Sequence, residues 1–163
     1  MTPYERLLDR VDTPAVVVTT AVGETRSGCL VTFASPCSME PPRFGVWLST
    51  VNRTYELAAG ASALAVHFLS EAHRPTAELF GGETGFEIDK FARCGWSPGP
   101  EGLPVLDDCV GWFVGRIVER LPTGDHTLHV LAPVAAEVRE PGEGRVLGLR
   151  EVRDISPGRL DDV

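Results

Sequence analysis

The 163-residue chain is poor in the features that mark membrane, secreted, metal-bound or nucleic-acid-binding proteins. No stretch approaches the run of about 20 apolar residues that a spanning helix needs. The charged opening "MTPYERLLDRVDTP" lacks the apolar centre of a secretory signal, so a cytoplasmic protein is expected. Cys29, Cys37, Cys94 and Cys109 stand apart, with no CxxC and no Cys/His cluster. That spacing speaks against a zinc site or a dithiol redox pair, and the thiols read as small buried hydrophobes. Basic charge is scarce too: 15 Lys and Arg against 23 Asp and Glu leave 15 − 23 = −8. A general nucleic-acid binder, which depends on basic surface, is thereby excluded, while a local pocket for a small phosphate is not.

What is present is a core. Hydrophobic residues make up 43% of the chain, enough for one well-packed domain over residues 1–163 with its core from about 12 to 138. Tyr4, Leu7, Leu8 and Val11 share one helical face and predict a short amphipathic helix ended by Pro14. The β-branched run Ala15 to Thr20 and the apolar run Cys29 to Ala34 predict a hairpin. Prolines in "SPCSMEPP" predict a break, because proline denies both helix and central strand. "RFGVWLS" and "SALAVHFLS" predict strands, "TVNRTYELAAG" a short helix stopped by Gly60, and "EAHRPTAELFGG" a helix-prone stretch.

Residues 82–108, rich in Gly and Pro, predict an extended surface excursion that would serve as a lid, binding loop or dimer arm. "CVGWFVGRIVERL" and "HTLHVLAPVAAEV" predict a long hairpin, and "RVLGLREV" one more edge strand. About six strands, mostly linked too briefly for helical crossovers, predict a mainly β fold, an antiparallel β-barrel with inserted helices.

Three stretches gather chemistry. In "WLSTVNRTYEL" a strand ends at Ser49-Thr50 and a helix begins near Asn52, Arg53 and Thr54. Free N–H groups at a helix start, with hydroxyls and a guanidinium, suit an anion, but the same residue types are ordinary caps, and the local pattern leaves both open. In "GCLVTFASPCSMEPP", Thr32 and Ser35 offer hydroxyls at a strand end, which suits the edge of a planar heterocycle as well as a plain buried strand. In "TGDHTLHV", Gly124-Asp125 suits a hairpin turn, and His126 is either part of that turn or placed beside a ligand.

Together these stretches resemble the flavin reductase-like, FMN-binding split-barrel family. The resemblance runs from about Asp12 to about Val138. It rests, in order, on "TPAVVVTT", Gly28 with Ser38 and "MEPPRFGVWLS", "NRTYELAAGASALAVHFLS", "DKFARCGW", "GLPVLDDCVGWFVGRIVE" and "GDHTLHVLAPV". It implies a split β-barrel, commonly a homodimer, that binds FMN or FAD and takes hydride from NADH or NADPH. It further implies that Leu30, Val31, Thr32 and Phe33 lie along the flavin ring, and that Ser49, Asn52, Arg53 and Thr54 grip its phosphate. Lys90 and Phe91 match the loop that closes over the flavin, and His126 matches the family's catalytic-site histidine near the nicotinamide or flavin ring. The implied activity is hydride transfer from nicotinamide to flavin, with the cofactors carrying the chemistry and the reduced flavin passed to a partner monooxygenase or kept. No GxGxxG follows a strand, so the nicotinamide nucleotide would stack in an open cleft.

The chain departs from the family pattern in two places. Leu30, Val31 and Phe33 stand where a threonine and small polar residues are usual, which implies a more apolar ring environment. His67 replaces an asparagine and reads as a hydrogen-bonded core histidine. His129 falls on the strand face opposite His126 and, like His73, reads as structural or surface. Two other functions stay compatible: a non-catalytic flavin- or haem-binding module, motivated by Leu30-Val31, and a deazaflavin-dependent reductase on the same barrel.

Overall fold

The computed structural model of the chain describes residues 1–83, 86–139 and 145–158. The strands are β1 (Val16–Val22), β2 (Thr25–Val31), β3 (Ala34–Met39), β4 (Pro42–Ser49), β5 (Ala63–Phe68), β6 (Trp96–Pro98), β7 (Pro104–Leu106), β8 (Gly111–Pro122) and β9 (His126–Val138). The helices are α1 (Pro3–Leu8), α2 (Arg53–Ala58), α3 (Arg74–Gly82) and α4 (Leu149–Val152). Seven strands form one antiparallel sheet in the order β2-β1-β5-β8-β9-β4-β3, and β6 pairs with β7 alone. Among the described residues no helix is long and apolar enough to cross a membrane.

Both edges of the sheet are consecutive in sequence: β2 ends at Val31 and β3 begins at Ala34. Three peptide units reach at most about 11 Å, so the sheet must curl until its edges nearly meet. They do not pair, and the result is the mainly β split barrel that the sequence predicts. Alternation along β1 fills both sides of the wall. Val16 and Val18 point into the barrel with Val31, Val46, Leu48, Leu64 and Leu131. Val17 points outward onto Phe80, Phe91, Leu106 and Leu147, contributed by α3 and the later loops.

The predicted β1–β2 and β8–β9 hairpins form, the latter closed by the Thr123 N–H donating to the His126 carbonyl at 3.0 Å across Gly124-Asp125. Other expectations are corrected. Pro36 sits inside β3, which is permitted because β3 is an edge strand and needs no donor on its open side. Thr32 and Phe33 lie beyond the end of β2, in the crossing between edges. "RVLGLREV" is no strand: Leu149, Val152 and Ile155 recur every third residue, and the segment turns through α4. The later part of the 82–108 excursion is pinned to the barrel, with Thr19 Oγ1 donating to the Pro104 carbonyl at 2.6 Å and Val105 and Leu106 buried. Helix α1 ends at Leu8, and the apolar face of Tyr4, Leu7 and Leu8 stays exposed.

His67 is the satisfied core histidine expected. The Leu106 N–H donates to its Nε2 at 3.1 Å, which leaves Nδ1 to carry the proton toward the Val17 carbonyl at 2.9 Å. Burial pushes its pKa from 6.5 down to about 4. The unfolded chain therefore binds one more proton than the fold between those values, and stability is lost as pH falls from 6.5 toward 4. His67 alone should lower stability by about 3 kcal/mol between pH 7 and pH 4. Urea unfolding at the two pH values should show a smaller loss for His67→Asn than for the parent; an equal loss would remove His67 as the source.

Candidate functional site at the barrel seam

The unpaired edges leave clefts on either side of the Thr32-Phe33 crossing. Both carbonyls of the crossing are nonetheless satisfied: Thr13 Oγ1 donates to Thr32 O at 2.6 Å, and the Trp47 N–H to Phe33 O at 2.9 Å. One cleft, of about 340 Å³, brings together Leu30, Thr32, Asn52, Arg53 and Lys90, with Arg153 of the C-terminal segment as a further wall. A second, of about 230 Å³, shares Arg53 and Lys90 and adds Arg26, Phe86 and Phe91. A third, of about 380 Å³, holds Phe33 and His126 with Thr13, Ser35, Trp47 and Asp125.

Each residue singled out from sequence has a definite place. Arg53 opens α2, and its guanidinium lies 5.6 Å from the centre of the Phe86 ring. No carboxylate pairs with it among the described residues. Asn52 caps the same helix, its Oδ1 accepting from the Thr54 N–H at 3.1 Å. Since α2 has only six residues, its dipole adds little, and capping accounts for Asn52. Thr54 is buried with its hydroxyl 2.9 Å from that of Ser27. Ser49 is buried opposite His126 in the β4–β9 register, and its carbonyl accepts from Asn52 N–H at 3.0 Å. Val31 turns into the barrel interior. The clefts therefore gather Leu30, Thr32, Phe33, Asn52, Arg53, Lys90, Phe91 and His126, while Val31, Ser49 and Thr54 are buried and line none of the three.

His126 begins β9 with Nδ1 2.7 Å from Asp125 Oδ1 and its ring 4.8 Å from that of Phe33. A carboxylate only accepts, so Nδ1 carries a proton and Nε2 is the nitrogen that Asp125 does not hold. His129 lies on the other face, buried, with Nδ1 3.0 Å from the Thr127 carbonyl.

Sequence reasoning missed Arg26, Gly81 and the C-terminal wall of Val152, Arg153 and Ile155. The three-residue spacing of Leu149, Val152 and Ile155 was the available signal for that wall. Arg74 ties it to α3 through Asp154, and Arg153 donates to the Asp9 carbonyl at 3.2 Å.

Residues 8–156 match the model of the family described as "Flavin reductase like domain". The chain belongs to that family. It is 28% identical over 153 residues, covering 94% of this chain and 84% of the relative, to "FMN reductase (NADH) RutF" of Variovorax paradoxus (strain S110). Its fold superposes with a TM-score of 0.76 on the FMN-binding protein from Thermus thermophilus with bound 1-cyclohex-2-enone, at 26% identity over 81% of this chain and 74% of that one. The flavin reductase domain protein from Arthrobacter sp. FB24 gives a TM-score of 0.80 at 24% identity, covering 91% and 89% of the two chains. This last likeness concerns the fold alone.

In this flavin reductase-like chain Lys90 is an internal strut. It is buried, and its ammonium donates to the Gly28 carbonyl at 3.0 Å and the Phe80 carbonyl at 2.9 Å. Burial pushes its pKa down, with the neighbouring Cys29 and Glu83 acting the other way. Lys90→Ala should cost about 1–3 kcal/mol by leaving two buried carbonyls without a donor. Thermal unfolding would read this directly, and an unchanged midpoint would show that the two bonds carry no net stability.

Proposed function

We propose that the chain is an NADH-dependent flavin reductase using FMN, built as a single domain. The seam carries this reading: a guanidinium with no carboxylate partner among the described residues stands at one end of a cleft, and the Phe33 and His126 rings, in tilted contact, stand across the two-residue crossing from it. These residues fit a flavin mononucleotide, which has a dianionic phosphate at one end and a flat ring system at the other. A bound flavin accepts hydride from reduced nicotinamide and hands on the electrons.

The chain's own residues bind and orient. Arg53 presents a planar fork of donors to the phosphate, while Lys90 adds positive charge from behind with donors already committed to carbonyls. Leu30 supplies apolar surface and Thr32 a hydroxyl on the same cleft. Asp125 fixes the His126 ring, which leaves Nε2 to meet the nicotinamide or the flavin edge. Family membership and the relatives whose names specify FMN and NADH support this choice of cofactor and donor.

The same proposal extends to a cytoplasmic homodimer that releases reduced flavin to a partner monooxygenase. Free cysteines are in keeping with a reducing compartment. The exposed Tyr4, Leu7, Leu8, Val118 and Leu121 supply apolar surface for a second copy. Of the two apolar residues that motivate a non-catalytic binding module, only Leu30 faces the cleft.

An anaerobic visible spectrum with FMN, before and after NADH, tests the reading. A shifted band that bleaches faster than free flavin is expected; a shifted band that stays yellow would replace the reductase by a binding module or a deazaflavin enzyme. Arg53→Ala should weaken FMN at least about tenfold while leaving riboflavin within about twofold, because the lost contact is to phosphate. Equal weakening of both would take Arg53 out of the phosphate site. His126→Ala should slow anaerobic flavin reduction about tenfold or more with flavin affinity nearly unchanged, and a normal rate would return His126 to a turn residue.

A further inference from the structure

The β8–β9 hairpin that presents His126 also grips the helix that carries Arg53, and it does so at both ends of that helix. Just before α2, the N–H and Oγ1 of Thr50 donate to the Asp125 carbonyl at 2.9 and 3.1 Å. Beyond the other end, Arg120 of β8 donates through Nη2 to the carbonyls of Ala58 at 3.0 Å and Ala61 at 2.9 Å. Ala58 closes α2, and Ala61 lies in the turn that follows it. Opposite Arg120 in the ladder stands His129, whose ring meets that of Tyr55 on α2 edge-on with 6.4 Å between centres. The last carbonyls of a helix have no partner within it, and a basic side chain is suited to take them. Because α2 has only six residues, Arg53 and Ala58 lie about 8 Å apart along its axis. A shift at the far end of so short a helix is therefore felt at its first residue. Arg120 itself lines none of the three clefts.

We propose that Arg120 is a positioning residue for recognition of the flavin phosphate: it fixes the far end of α2 and thereby sets where the Arg53 guanidinium stands. The inference rests on the assignment of Arg53 to that phosphate. One hairpin then mounts both His126 at the ring and, through α2, the anchor at the phosphate. Three roles for Arg120 differ in what they predict. A plain helix stop contributes stability and shows no preference between a flavin with a phosphate and one without. A cation acting across space on the phosphate keeps its effect when Arg53 is gone. A residue that acts through Arg53 favours the phosphorylated flavin and loses that effect together with Arg53.

Dissociation constants for FMN and riboflavin, read from flavin fluorescence, are compared in the parent, Arg120→Met, Arg120→Lys, Arg53→Ala and the double variant Arg53→Ala/Arg120→Met. Methionine keeps an apolar stem and removes the donors. Arg120→Met should weaken FMN about fivefold and leave riboflavin within about twofold, and Arg120→Lys, which keeps a donor without the planar fork, should fall between. In the Arg53→Ala background the same Arg120→Met change should alter FMN by less than about twofold. Equal weakening of both flavins by Arg120→Met, no change in either, or an undiminished loss of FMN in the absence of Arg53 would each overturn the proposal while leaving Arg53 at the phosphate. Arg53→Ala weakening both flavins alike would instead remove the phosphate site and this inference with it. Thermal midpoints show whether each variant folds; if Arg120→Met does not, the FMN-to-riboflavin ratio of Arg120→Lys decides, and an unchanged ratio overturns the proposal.

Discussion

The two-residue crossing from Val31 to Ala34 is the constraint on which the rest of the structure depends. A seven-stranded antiparallel sheet whose first and last strands are consecutive cannot lie open. It must roll up, and the interior so formed needs filling, which the inward-facing set of Val16, Val18, Val46, Leu48, Leu64 and Leu131 does. Closure stops one step short because the crossing residues have left the strand ladder. Their carbonyls are met instead by the Thr13 hydroxyl and the Trp47 N–H. A ladder that breaks while its backbone stays satisfied yields a stable cleft, and this is where the candidate site lies.

The wall around the cleft depends on close approach. A Cβ on Gly28 would come within 2.7 Å of the Phe80 ring, and one on Gly81 within 2.7 Å of Leu30. Both glycines therefore let α3 lie directly against β2. This contact brings the Gly28 and Phe80 carbonyls near enough for a single ammonium, that of Lys90, to bind both. Lys90 in turn fixes the start of the short turn that carries Phe91, which packs edge-on against Phe80 and Trp96. The Lys90-Phe91 turn, in a stretch that composition alone suggests is loose, is tied to the barrel because a buried cation takes those carbonyls as its partners.

Strand positions were legible in the sequence because alternation and β-branched runs follow from geometry, and the long β8–β9 hairpin needed only its turn residues. Depth was less legible. Leu30 and Val31 look alike as letters, but the pleat sends one to the cleft and the other to the core, and only register decides which. Ser49, Asn52 and Thr54 belong to residue types that cap helices and bind phosphates by the same donors and acceptors. Spacing cannot tell the roles apart; in the fold Thr54 meets the Ser27 hydroxyl and Asn52 caps its own helix. The C-terminal wall was misread as a strand because three apolar residues at helical spacing make too short a signal, and its position depends on ion pairs with distant residues such as Arg74.

Charge placement explains why an acidic chain can keep a cationic seam. Elsewhere several guanidiniums find carboxylates: Arg74 with Glu78 and Asp154, Arg116 with Glu101, Arg139 with Glu137, and Arg145 with Glu151. At the seam Arg26 and Arg53 are held by the Trp96 and Phe86 rings. A carboxylate partner would fix a guanidinium equally well but would cancel its charge and occupy the donors that an incoming phosphate needs. An aromatic face orients the group and leaves both intact. Using rings rather than acids as supports is what lets a chain with a net charge of −8 present a locally positive cleft to an anionic nucleotide, against a surface that otherwise repels it.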